Sequence, residues 1–144
     1  MNHETNKKLN NKGFSLVELI IVIAIMAVLI GVLAPQYLKY VEKSRQSADL
    51  DTLDAMISAV EIYSADPANT IVSGTITCAA NGDITAETTV LAALVDAGLA
   101  DSSADASTVL TTMKSTAYAK AWTITFASTG VTVSDSGLAS ALGR

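Results

Sequence analysis

Hydrophobic positions follow three regimes along the chain. From Leu19 to Pro35 there is no charged residue over 17 positions. With Phe14 to Val17 in front, this run reaches the length of a bilayer-spanning helix. Beyond Pro35 the apolar positions thin to a helical spacing of three, four and seven: Leu38, Val41, Ala48, Leu53, Met56, Ile57 and Val60 share one broad face. Lys39, Glu42, Lys43, Arg45, Asp49, Asp51, Asp54 and Glu61 are assigned to the opposite, solvated face. The two regimes predict one helix from Phe14 to about Ala65, where Pro67 disfavours helical backbone at Asp66. Its length would be roughly 78 Å at 1.5 Å per residue. Gly31 and Pro35 fall inside it. Pro35 removes a backbone donor and crowds the carbonyl one turn back, so a kink or local melting is expected near residues 31–35.

The third regime begins after Pro67, where Ala, Thr, Ser and Gly dominate. Ile71 to Cys78 and Ile84 flank Asn81-Gly82, a hairpin signal. "ETTVLAALVDAGL" predicts a short helix over 86–97 with Gly98 at its C-terminal cap, and 101–108 read as a loop. "AWTITF" and "VTVSD" alternate, which places Trp122, Ile124 and Phe126 on one face and Val131 and Val133 on the matching face of a partner strand. Ser128-Thr129-Gly130 would turn between them, and Trp122 is expected as a core anchor. The predicted class is α+β, a long N-terminal helix packed on a small antiparallel sheet. Four segments follow: a basic head over 1–13, an apolar helix half over 14–37, an amphipathic half over 38–65, and a small globular region over 66–144.

Charge adds a polarity to this plan. The chain carries -5 overall, yet Lys7, Lys8 and Lys12 against Glu4 make the first 13 residues +2, leaving -7 for the rest. After Arg45 only Lys114, Lys120 and Arg144 are basic, so no clustered cationic surface for nucleic acid is predicted. The basic head favours a cytoplasmic N-terminus with the acidic body on the far side, although Lys39, Lys43 and Arg45 oppose this.

Catalytic chemistry has little to work with. His3 is the one histidine and Cys78 the one cysteine. Cys78 therefore reads as a small buried hydrophobe. The serines and threonines have no evident base, and the glycines form no phosphate loop. Asp49, Asp51 and Asp54 spread over more than one helix face, so no metal site is assigned. No cofactor is expected, and the chain reads as a substrate of enzymes, not an enzyme.

A secretory signal would place a small-residue cleavage site after its apolar core. Here Ser44 to Ala48 follow a basic stretch inside the helical pattern, a poor peptidase site. The small residue that fits is Gly13, ahead of the run, between Lys12 and Phe14. Cutting after it would remove the head and keep the membrane helix.

"KGFSLVELIIVIAIMAVLIGVLAPQY", residues 12–37, resembles the N-terminus of type IV prepilins and related pseudopilins. The resemblance covers about residues 7–40 and implies cleavage after Gly13 by a prepilin peptidase, which also methylates the new amino group on Phe14. It maps the family's fifth-position acid onto Glu18 and its mid-helix proline onto Pro35. Many members close a C-terminal loop with two cysteines; this chain has only Cys78 and looks more like the cysteine-poor pilins of Gram-positive bacteria.

Glu18 is the physical puzzle, since a charged side chain near a bilayer centre costs about 2.5 to 3.5 kcal/mol on insertion scales. An amino terminus created at Phe14 would lie four residues away, beside the positive end of the helix dipole. The expectation is that Glu18 binds that amine in its own or an adjacent subunit, and so sets filament register as a polar group does in an apolar seam. The resemblance implies a major pilin in a helical filament of identical subunits, serving adhesion, twitching motility or DNA uptake. Its partners would be the peptidase, the pilus assembly platform and minor pilins. It would sit in the cytoplasmic membrane before assembly and in a cell-surface pilus afterwards. The alternatives are a pseudopilin of a secretion or DNA-uptake apparatus, and a single-pass anchored binding domain that never polymerises.

Overall fold

The computed structural model describes residues 13–69 and 73–144. The basic head, with His3, Lys7, Lys8 and Lys12, lies outside the described residues, as do Ile71 and Val72 of the first predicted strand. A long helix, α1 (Leu16–Ala65), precedes β1 (Gly74–Cys78), β2 (Asp83–Ala86), α2 (Thr88–Asp96), β3 (Thr111–Thr112), β4 (Trp122–Ala127), β5 (Gly130–Val133) and α3 (Ser136–Ala141). The class is the α+β one expected. The residues divide into two compact units, one ending at Lys39 and the other running from Tyr40 to Arg144.

In the first unit every described residue is exposed. Leu19, Ile23, Met26 and Val32 each leave more than half their surface uncovered (62, 56, 54 and 64 %). The backbone is α-helical through Gly31 and Pro35, and a side chain added at Gly31 would meet open space.

The second unit holds the hydrophobic core. All strand pairings are antiparallel in the order β3-β2-β1-β4-β5. Register puts Ile76 between Ala86 and Ile124, and Cys78 between Ile84 and Trp122. All six are buried on one sheet face against Leu53, Met56, Ile57 and Val60 of α1. The alternate positions are threonines: Thr77 pairs with Thr85 and Thr123, and Thr75 with Thr125. The period-two alternation thus sorts apolar from polar across the sheet. Trp122 is the core anchor expected, 3 % exposed, with its indole N–H donated to the Tyr118 carbonyl at 2.9 Å.

The turns follow their chemistry. Gly82 takes φ 90° where its amide donates to the Ala79 carbonyl, closing the β1–β2 hairpin. Gly98, at φ 72°, ends α2 with the paired bonds of a Schellman motif, its own amide to Val95 and that of Leu99 to Leu94. Helix α2 is shorter than predicted, because Ala86 is claimed by its ladder partner Ile76 and is buried in β2.

Two expectations on α1 are corrected. Leu38 and Ala48, placed on the buried face by spacing, are exposed. Asp49, placed on the solvated face, is 3 % exposed. Strand β3 and helix α3 had no counterpart in the sequence reading; β3 is two residues long, and α3 begins on a capping bond from the Leu138 amide to Asp135.

Candidate processing and assembly segment

The segment begins at Gly13 and Phe14, both exposed ahead of the first helical turn. Phe14 leaves 92 % of its surface uncovered. Helix α1 then starts with a reciprocal cap. The Glu18 amide donates to Ser15 Oγ at 3.3 Å, and the Ser15 amide donates to Glu18 Oε2 at 2.9 Å. Two donors that would lack intrahelical partners are satisfied by a Ser-x-x-Glu pair. The signal lay in the sequence as "SLVE", residues 15–18. Glu18 is thus a helix cap as well as the one acid of the apolar run, and its carboxylate already reaches back to within one residue of the Phe14 nitrogen.

The apolar face that follows has no cover within the subunit. Helix α1 carries a window long and apolar enough to cross a membrane, and none of that window is buried. In water such an exposed band would be costly, at about 25 cal/mol per Å² of apolar surface. A membrane or a neighbouring helix removes that cost.

Residues 8–34 match the model of the prokaryotic N-terminal methylation motif. The match supports a type IV prepilin-like N-terminus. The match takes in Gly13, Phe14, Glu18 and Gly31, while Pro35 lies one residue past its end. A long N-terminal helix with a five-stranded antiparallel sheet is consistent with the type IV pilin fold. No solved structure matches the chain. The motif points to a structural protein processed by a prepilin peptidase and not to an enzyme.

The second unit contains a polar device that the sequence reading missed. Asp49 and Glu42, seven residues apart on α1, both hold the turn over residues 114–117. Asp49 accepts the Lys114 amide at 3.0 Å through each oxygen and the Ser115 amide at 2.7 Å. Glu42 Oε1 accepts the Thr116 amide at 2.6 Å and the Thr116 hydroxyl at 2.8 Å. The Thr116 hydroxyl first, then the Thr116 and Ala117 amides, hold the Glu42 carboxyl below the usual carboxylate range against desolvation. Ser115 is fully buried and its hydroxyl accepts the Tyr118 amide, which leads the chain into Trp122. A hint was available, since Asp49 precedes Leu53, Met56 and Val60 by four, seven and eleven residues, the same helical phase.

Asp51 and Asp54 stay exposed while Asp49 turns inward, so the three aspartates do not converge. Among the described residues no group of three acidic, histidine or cysteine side chains could hold a metal. Cys78 is buried, with Sγ 3.4 Å from the Ala79 carbonyl, and burial pushes its thiol up. Arg144 reaches both carboxylate oxygens of Glu61, with Nη2 at 3.1 Å from Oε2.

Proposed function

We propose that this chain is the major structural subunit of a type IV pilus. In this reading residues 1–13 are a leader removed after Gly13, and Phe14 becomes an N-methylated amino terminus. Residues 14–37 anchor the precursor, N-terminus in, and then pack the filament. Residues 38–65 and 66–144 form the part displayed at the cell surface. The observation that carries it is the joint occurrence of the methylation motif and an apolar helix half with no cover inside the subunit. Membrane first and filament second are the two environments that would bury it.

Glu18 gives this reading its register. Removing the leader would leave a cationic amine one residue from the Ser15 amide that Glu18 binds. The carboxylate and the helix N-terminus attract each other, and an adjacent subunit's amine can take the same place. Pro35 and Gly31 mark where the helix yields on leaving the bilayer, since Pro35 has no amide to close its turn.

The test is to purify the extracellular fibre fraction and sequence its first residues. A fibre beginning at N-methyl-Phe14 is expected; full-length chain retained in the membrane would reject the proposal. In Glu18→Ala, cleavage after Gly13 is expected to persist while filament yield collapses. Normal filaments from that variant would remove Glu18 from the assembly mechanism.

A further inference from the structure

Within the second unit, one face of α1 packs on the sheet and much of the other is exposed, with Ala141 and Leu142 beside Ser47, Asp51 and Asp54. The exposed residues of that face are Lys43, Ser47, Asp51, Asp54, Ala55 and Ile62. Its charges are segregated along the axis, a cation at one end and two carboxylates further on. Lys43 and Asp54 lie eleven residues apart, three turns and roughly 16 Å along the same side of the helix. That separation exceeds the reach of an ion pair within one subunit. Among the described residues, the two ion pairs are Lys120 with Asp135 and Arg144 with Glu61, which leaves Lys43, Asp51 and Asp54 outside them. Arg144, the nearby cation, is bonded to Glu61 and feels the charge of Asp54 without reaching ion-pair distance of it. Small side chains, Ser47 between the charges and Ala55 just past Asp54, allow close approach by another surface. Ile62, 73 % exposed, adds an apolar end to the face.

We propose that this face contacts a second copy of the chain, shifted along the helix axis so that Lys43 of one copy meets Asp54, flanked by Asp51, of the next. The occupant follows from charge complementarity: the cation and the carboxylates are on the same face, at an offset that a parallel copy staggered along the axis closes. Such a contact is head-to-tail and therefore repeats without closing, as a filament requires. It rests on the filament reading and adds to it a second polar determinant of stagger, away from Glu18. A single exposed ion pair contributes little by itself. Here it is drawn between two surfaces and repeated at every subunit, so reversal of one charge is felt along the whole assembly.

The test uses the full chain in assembled filaments. Lys43→Glu and Asp54→Lys are each expected to lower filament yield about tenfold, because like charges facing each other at an interface are strongly disfavoured. The double reversal is expected to restore it. Cleavage after Gly13 and Trp122 fluorescence, both unchanged, show that processing and fold are intact. As a second arm, Lys43→Cys and Asp54→Cys are combined with Cys78→Ser. The two new cysteines are too far apart in one subunit for a disulfide. Oxidised filaments should therefore give a ladder of covalent multimers. Normal yield from both single reversals with no cross-linking, or dimers alone, would overturn this contact and leave the pilin reading standing. A wild-type chain that stays uncleaved and forms no filament overturns both.

Discussion

The two halves of α1 share a backbone conformation and differ in everything their side chains meet. Up to Lys39 the helix is apolar all round and covered by nothing. From Tyr40 it is apolar on one stripe, and Leu53, Ile57 and Val60 are buried almost completely against the sheet. A helix apolar on all sides awaits a solvent or partner outside the subunit, whereas one apolar on a stripe finds its partner within the fold. The same residue type therefore does different work on either side of residue 39. Ile57 stabilises the subunit, and Ile23 is available to a membrane or a filament.

Alanine scanning is the strongest way to break that contrast. Leu53→Ala should destabilise the second unit by about 2 to 5 kcal/mol, the range for truncating a buried leucine. Ile23→Ala should stay within about 0.5 kcal/mol, as an exposed site does. Denaturation of the detergent-solubilised chain, followed through Trp122, the one tryptophan, reads both. Equal losses from the two would erase the distinction.

Next in size is the buried carboxylate. Asp49→Ala strands the buried Ser115 amide, at about 1 to 3 kcal/mol for the unmade hydrogen bond, and frees the half-buried Lys114 amide. The 114–117 turn should show faster amide hydrogen exchange, and Asp49→Asn, which keeps one acceptor oxygen, should recover part of the loss. A variant as stable and as protected as the parent would show that the turn holds itself.

The smallest effect is a pH dependence. Because the folded-state value of Glu42 is lowered, its contribution is fully present above the ordinary glutamate value, about 4.3. It is lost as pH falls through the lower folded-state value. The stability gap between the parent and Glu42→Gln should accordingly shrink on acidification. A gap independent of pH down to 3 would mean that the hydroxyl and amides of Thr116 bind the amide side chain equally well.

How much of this was legible differs by element. The end of α1 at Ala65, the Asn81-Gly82 hairpin, the Gly98 cap and the alternation of Trp122, Ile124 and Phe126 were readable, because each depends on residues adjacent in the chain. The methylation-motif segment was readable for the same reason, its signal being local and compositional. Asp49 was misplaced because charge was taken as a sign of exposure. Its burial depends on amides 65 and 66 residues away. Leu38 and Ala48 were misplaced because helical spacing says which residues share a face and not where the sheet begins to cover it. Strand β3 escaped because two residues carry no period, and it exists through pairing with Asp83 and Ile84.

By itself, then, the sequence determined a long helix, its uncharged N-terminal half, the acid and glycine that mark its start, and the sheet-forming segments behind it. Those follow from hydrophobic spacing and turn chemistry, which act over a few residues. Only the tertiary structure decided which helix carboxylates turn inward to hold the 114–117 turn and which stay exposed. Burial of a charge is settled by donors brought from distant parts of the chain, and no local pattern encodes their arrival.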